Sequence, residues 1–71
     1  MATTRTEHRA KIATARNVLG EVISRARFGG ETTVLMNRGK EAAVVVPFDF
    51  YERALEAFGE KVVRVNDDDS D

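Results

Sequence analysis

One helical periodicity followed by two β-branched segments limits the folds open to this chain more than any other feature. Apolar residues recur every three or four positions over residues 13–28, which predicts a helix that buries one face. Gly29-Gly30 ends this helix, because glycine adopts the left-handed closing conformation without a Cβ penalty. Gly20 lies inside the helix, so we expect a kink or a break near residues 17–20.

The middle of the chain is typical of a β-hairpin. Thr32–Asn37 and Ala42–Pro47 are rich in β-branched residues and flank a short glycine-containing connection at residues 38–41. Pro47 has no N–H for a ladder hydrogen bond, which suits the end of a strand. Before the helix, the polar segment Thr4–Lys11 is either a short strand or a mobile basic arm.

A second helix is expected after the hairpin. Asp49 with Glu52 three residues later fits a capping box, and Gly59 fits the helix end. The predicted apolar face consists of Tyr51, Leu55 and Phe58. The chain then runs through residues 60–65 into the acidic residues 66–71, which contain nothing to bury, so this end is expected to be disordered.

The small size of the chain limits how it can be stabilised. It has 71 residues, no cysteine and a single histidine, so disulfides and a zinc site of ordinary Cys/His type are excluded within one chain. A core this small seldom suffices alone, and oligomerisation is the remaining source of burial. We therefore expect a core shared by two chains. It would include Leu19, Val22, Ile23, Val44, Val46, Tyr51 and Phe58.

Several classes of function are disfavoured. Hydroxyl and carboxylate side chains are scattered over predicted surfaces with no nucleophile near a base, so we expect no enzyme, and we expect neither cofactor nor metal. The longest apolar run, Ala42–Val46, is far too short to span a membrane, and the N-terminus lacks an apolar leader. The absence of cysteine agrees with a bacterial cytoplasmic protein.

Charge is divided sharply along the chain. Residues 1–40 carry eight basic and three acidic side chains, a net +5, and residues 41–71 carry three basic and nine acidic ones, a net −6. A basic half attracts polyanions and an acidic end attracts a basic surface, so the asymmetry indicates two partners. The alternative is that these charges lie on a solvated surface and that their uneven distribution along the chain has no function. Late in the first helix, Arg25 and Arg27 fit a structural role near the negative end of the helix dipole.

An ordered set of short motifs resembles a known family. The string comprises Thr14-Ala-Arg16, Leu19, Gly30-Glu31, Asn37-Arg-Gly39 and Glu41-Ala-Ala-Val-Val-Val-Pro47. In this order and spacing it is similar to the Phd/YefM family of type II antitoxins over roughly residues 8–58. Ala13 stands where many members have a helix-capping serine or threonine, so Thr14 would serve as the cap. The segment after the last helix is also shorter than is usual in the family.

The resemblance implies an α+β fold in β-α-α-β-β-α order. In it, a small antiparallel sheet packs on helices and two chains form a symmetric dimer. Residues 1–58 would form the dimerisation and DNA-binding domain, and residues 59–71 would form a flexible acidic tail that binds the toxin. The implied partners are a second copy, operator DNA and a cognate toxin, either a RelE/YoeB-type endonuclease or a Doc-type protein.

The resemblance also implies candidate contact residues. Arg16 would reach DNA from the first helix and Arg38 from the hairpin tip, and guanidinium groups suit both phosphate and guanine edges. For Arg38 a solvated turn residue is nearly as good an interpretation. The remaining candidates for DNA contact are Arg9, Lys11, Thr14 and Asn17. Those for toxin contact are Leu55, Phe58, Val62, Val63 and Val65, of which the three valines could equally be a frayed tail.

Three hypotheses are compatible with these observations. The first is a dimeric antitoxin that represses its own operon by binding operator DNA. The second is a free-standing DNA-binding regulator without a toxin. The third is a dimerisation module whose basic half is incidental. The first two need the same folded domain, so only a toxin partner separates them.

Overall fold

The computed structural model describes residues 4–68. Asp69 and Asp71, which contribute to the predicted acidic end, lie outside the described residues. The elements in chain order are β1 (Glu7–Lys11), α1 (Ile12–Asn17), α2 (Leu19–Gly29), β2 (Thr32–Asn37), β3 (Lys40–Val45) and α3 (Phe48–Phe58). This order is the predicted β-α-α-β-β-α order, and the segment that was either strand or arm is a strand at residues 7–11.

The three strands form a mixed sheet, which corrects the expected antiparallel one. The strand order is β1-β2-β3, with β1 parallel to β2 and β2 antiparallel to β3. The reason lies in the connections, because two helices between β1 and β2 return the chain to the same end of the sheet, as parallel pairing requires. The short turn between β2 and β3 permits only antiparallel pairing.

The predicted first helix is broken, as the interior glycine suggested. The break falls at Val18, whose φ of −126° and ψ of 37° are not helical. Gly20 itself lies inside α2, and Gly30 closes α2 with φ at 66°. At the start of α1, Lys11 occupies the cap position without a side-chain hydrogen bond, and Thr14 lies inside the helix. The expectation that Thr14 caps this helix is therefore wrong, because the chain turns directly from β1 into α1.

The hairpin turn is tighter than predicted. Only Arg38 and Gly39 separate β2 from β3, and both have positive φ, 55° and 78° respectively. Positive φ at both central residues is the signature of a type I′ turn, whose twist matches that of the flanking strands. The early start of β3 is accommodated by an irregularity next to Leu35, where Ala42 has no partner in the register.

Helix α3 begins earlier than the capping-box pattern indicated. Pro47 is the cap residue, with φ at −56°, and no side chain caps this end. Asp49 instead lies in the first turn and pairs with Arg53, at 3.1 Å between Oδ2 and Nη1. The predicted Asp49 cap is wrong because Pro47, with its fixed φ, already sets the helix start. Gly59 ends α3 with φ at 68°, as predicted.

The core of one chain is very small. Its buried apolar residues are Ala15, Val22, Ala26, Val34 and Pro47, joined by buried Thr33. Val22 and Ala26 lie one turn apart on α2, so this helix turns a narrow face toward the sheet. Of the residues expected in a shared core, Val22 is buried and Val46 half-buried. Leu19, Ile23, Val44, Tyr51 and Phe58 remain exposed in the single chain.

Candidate nucleic-acid and partner interfaces

Arg16 lies beside an apolar hollow between the helices and the sheet. The hollow has a volume of about 200 Å³ and apolar walls. It is lined by Ile12, Ala15, Arg16, Leu19, Leu35 and Val45, and we refer to it as the α1–α2 groove. Arg16 is exposed in the last turn of α1 and, within residues 4–68, has no ion-pair partner. Its aliphatic stem can therefore lie along the groove while the guanidinium stays in water.

The other predicted DNA-contacting residues occupy two neighbouring elements. Thr14 and Asn17 are exposed on α1 with Arg16, and Lys11 is exposed at the end of β1, immediately before that helix. Lys11 is in register with Met36 at the hairpin end of β2, and Arg38 follows two residues later. The order of elements thus brings Lys11 toward the hairpin tip that carries Arg38.

Arg9 differs from the other candidates because its guanidinium is already engaged. Its Nη1 donates to Glu41 at 2.8 Å and its Nε donates to Glu7 at 2.7 Å. The hydrogen bonds to Glu41 and then to Glu7 raise the pKa of Arg9 above its usual value, and the same contact with Arg9 lowers the pKa of Glu41. A phosphate would have to compete with two carboxylates for this side chain.

Helix α3 presents an apolar stripe that its own chain covers only in part. Phe48, Tyr51, Leu55 and Phe58 follow one another at helical spacing, and we call them the α3 stripe. No residue of α3 is fully buried, and Phe58 is 76% exposed. The charged residues of α3 lie from the edge of this stripe round to the opposite side of the helix and are Glu52, Glu56, Asp49 and Arg53. The result is an amphipathic helix with an anionic flank and an unfilled apolar face.

The segment after α3 continues this exposed apolar character. Residues 60–68 contain neither helix nor strand, and all of them are exposed. Val62, Val63 and Val65, predicted as toxin contacts, are 40%, 91% and 75% exposed. Together with Phe58 they leave four large apolar side chains in water near the end of the chain, whereas Leu55 is half-buried.

Two further features were missed by the sequence reasoning. Arg5 lies over the Phe50 ring, at 4.7 Å from its centroid, and so joins the segment before β1 to α3. His8 and Glu31 are 2.6 Å apart between Nε2 and Oε1 and join β1 to the residues before β2. Neither pair has a signal in local sequence, because each joins residues far apart in the chain. Phe48, in contrast, could have been added to the stripe from its i, i+3 spacing to Tyr51.

Comparison with known families decides the class of protein. A family model described as antitoxin Phd_YefM, type II toxin-antitoxin system, matches residues 7–67. The chain belongs to the Phd/YefM family of type II antitoxins. No curated protein and no solved structure gives a match. The family assignment therefore rests on the pattern of residues from β1 to the acidic end, and the resemblance inferred from the motifs is confirmed.

Because the chain belongs to this family, the kind of partner it has is a toxin. The matched region continues nine residues past Phe58 and so includes the three exposed valines. None of the three helices within residues 4–68 has the length and hydrophobicity needed to span a bilayer. Among those same residues there is also no group of His, Asp and Glu side chains that could hold a metal ion.

Proposed function

We propose that this antitoxin neutralises a cognate toxin with α3 and the segment that follows it. The observation that carries the proposal is the α3 stripe, an apolar helix face whose three aromatic residues are exposed and of which the rest of the chain partly covers only Leu55. An amphipathic helix of this kind lays its apolar face into a groove of another protein, with anchors one helical turn apart. Tyr51, Leu55 and Phe58 would be those anchors, and aromatic side chains commonly dominate such interfaces.

Charge supports the same assignment. Residues 48–68 carry six acidic and three basic side chains, a net −3, and therefore favour a cationic partner. A toxin that cleaves or occupies RNA needs a basic surface to attract phosphates, and an anionic apolar strand can cover that surface. The proposed partner is accordingly a RelE/YoeB-type endonuclease or a Doc-type protein. Val62, Val63 and Val65 would extend the contact beyond the helix.

We further propose that a homodimer of this protein represses its own operon by binding operator DNA. The support is the net +5 of residues 1–40, doubled in a dimer, and the exposed Arg16 without a carboxylate partner among the described residues. Neutralising phosphates releases counterions, so binding should weaken steeply as salt rises. Arg16, with Thr14 and Asn17 on the same helix, would read bases, and Lys11 and Arg38 would contact phosphates.

A calorimetric titration tests the neutralisation proposal. The product of the adjacent reading frame is titrated with the full chain, with Phe58→Ser and with Phe28→Ser. Phe28 is the matched control, because it is 78% exposed on α2 and lies outside the α3 stripe. Loss of a central aromatic anchor should weaken binding by about 30-fold or more, and the control should bind like the parent.

The titration also separates the alternative function. If the adjacent product does not bind the full chain while operator DNA does, the protein is better described as a free-standing regulator. If the Phe28 and Phe58 variants weaken binding equally, the contact does not run through α3.

A further inference from the structure

Helix α3 is joined to the rest of the domain by few contacts. None of its residues is fully buried, although Pro47, which precedes the helix, is buried. Its one side-chain hydrogen bond among the described residues runs within the helix, from Arg53 to Asp49. No ion pair within residues 4–68 joins α3 to a strand or to another helix. The direction in which α3 leaves the sheet therefore depends on a small number of other contacts.

One of these contacts is made by Arg5. Its guanidinium carbon lies 4.7 Å from the centroid of the Phe50 ring, within the range of a cation–π interaction. The residue after Arg5 is tied to the sheet, because the Thr6 carbonyl accepts a hydrogen bond from the Thr32 N–H at 3.1 Å. Phe50 is 36% exposed, less than the other aromatic residues of α3. The contact therefore links the first turn of α3 to a fixed point beside the sheet.

Phe50 lies to one side of the α3 stripe. Successive helical residues are about 100° apart around the axis, so Phe50 is about 100° from Tyr51 and about 140° from Leu55. Arg5 therefore holds α3 by a flank that the stripe does not use. Tyr51 is 42% exposed in the same chain, so the stripe remains available to a partner while the contact is in place.

We propose, as an extension that rests on the proposed function, that Arg5 is a positioning residue for toxin binding. Through Phe50 it holds α3 in the orientation in which the α3 stripe meets the toxin. A helix that is already in its binding position loses less conformational freedom when the toxin binds, so its affinity is higher. The toxin binds only the fraction of chains in which α3 is in place. A cation–π contact at an exposed site changes the ratio of placed to displaced helices by about two- to five-fold.

A second arginine–phenylalanine pair provides a matched control. Arg27 lies over the Phe28 ring, at 5.0 Å from its centroid, and both residues belong to α2, so this pair joins no two elements. Arg27→Gln and Arg5→Gln remove the same charge and the same kind of contact. Only Arg5→Gln removes a link between α3 and the rest of the domain.

Fluorescence of the full chain measures the motion of α3 in the absence of toxin. Tyr51 is the only tyrosine and the chain has no tryptophan, so the emission reports on α3 alone. Arg5→Gln and Phe50→Leu should each increase the nanosecond part of the Tyr51 anisotropy decay, and Arg27→Gln should leave it like that of the parent. An unchanged decay in Arg5→Gln overturns the inference, because α3 is then held without this contact.

Stopped-flow binding to the product of the adjacent reading frame measures the consequence for the toxin. Arg5→Gln should lower the association rate constant by about two- to five-fold and leave the dissociation rate constant unchanged, since the bound helix makes the same contacts. Removal of a positive charge alone would speed association with a cationic toxin, so Arg27→Gln should associate at least as fast as the parent. Arg5→Lys, which retains a cation, should keep most of the parent's association rate.

A double-mutant cycle shows whether Arg5 acts through Phe50. If it does, the chain that carries both Arg5→Gln and Phe50→Leu should associate no more slowly than the slower of the two single variants. An equal effect of Arg5→Gln with and without the Phe50 ring would indicate a direct contact between Arg5 and the toxin, and it would overturn the inference. If the Tyr51 decay responds as expected but the adjacent product does not bind the full chain, the positioning contact stands and the proposed neutralisation fails.

Discussion

Arg9 on β1 and Glu41 on β3 form an ion pair that crosses the central strand, with 2.8 Å between Nη1 and Oε2. Val34 of β2 is the register partner of Arg9, so this pair bridges both edge strands over a buried position. The arrangement gives Arg9 a role in the sheet that its place in a basic segment did not reveal. The DNA contact expected of Arg9 from the sequence would require the pair with Glu41 to open.

The first prediction concerns acid stability. Arg9 lowers the pKa of Glu41 from its usual value of 4.5, so the pair stabilises the fold above that value and its contribution is lost as pH falls through the lower, folded-state pKa. Glu41→Gln should therefore lose less stability than the parent between about pH 7 and about pH 3. Urea unfolding at both pH values measures this. The control Glu56→Gln, on α3, should lose as much unfolding free energy between the two pH values as the parent does. If Glu41→Gln also loses as much as the parent, the assigned role of the pair is contradicted.

The second prediction concerns base reading by Arg16. Replacing it by alanine should cost about 1–3 kcal/mol for each base that the guanidinium reads and should reduce discrimination between operator and unrelated duplexes. Lys11→Ala should weaken binding to all sequences alike. It should also reduce the slope of log binding constant against log salt concentration by about one. Mobility-shift titrations at several salt concentrations measure both variants, with Arg53→Ala on α3 as the control. An Arg16 variant that binds the operator like the parent would remove this residue from the interface.

The third prediction separates two roles of Arg38. Its φ of 55° is unusual for arginine, and asparagine tolerates this conformation better. Arg38→Asn should therefore keep or raise the urea midpoint while lowering DNA affinity, because one positive charge is removed. The same titrations with Arg38→Lys, which retains the charge, should show affinity close to that of the parent. Unchanged DNA binding by Arg38→Asn would identify Arg38 as a solvated turn residue.

The fourth prediction contrasts two glycines. Gly30 has φ at 66°, so alanine there should destabilise the fold by about 1 kcal/mol. Gly20 lies inside α2, and a Cβ there would meet no heavy atom within 4 Å, so alanine should stabilise by about 0.5–1 kcal/mol. Urea unfolding of the two variants should shift the midpoint in opposite directions. A destabilising Gly20→Ala would indicate that this surface is covered in the assembled protein.

Local chemistry made much of the fold predictable from sequence. The helix ends at Gly30 and Gly59, the break between the first two helices and the bounds of β2 each follow from neighbouring residues, whereas β3 begins two residues before its predicted start. The family could also be named, because its motifs are short and ordered along the chain. These features depend on residues a few positions apart.

Features that depend on distant residues were less accessible. The parallel pairing of β1 with β2 is set by how two helices carry the chain back, and the pairs Arg9–Glu41 and His8–Glu31 join separate strands or loops. Leu19 and Phe58 are predicted for a core shared by two chains, and the single chain leaves both of them exposed. Apolar periodicity indicates which residues prefer burial, but it does not say whether their own chain supplies the cover.

Neutralisation of a toxin by α3 and the following segment can be measured in living cells. The measurement is the growth of cells that express the product of the adjacent reading frame together with either the full chain or a chain that ends at Gly59. The full chain should restore growth, and the shortened chain should fail to do so while still forming dimers and binding operator DNA. Full rescue by the shortened chain would contradict the proposed part of the segment after Gly59 and leave α3 alone as the neutralising surface, and growth restored by neither chain would contradict the proposal that this protein neutralises the adjacent product.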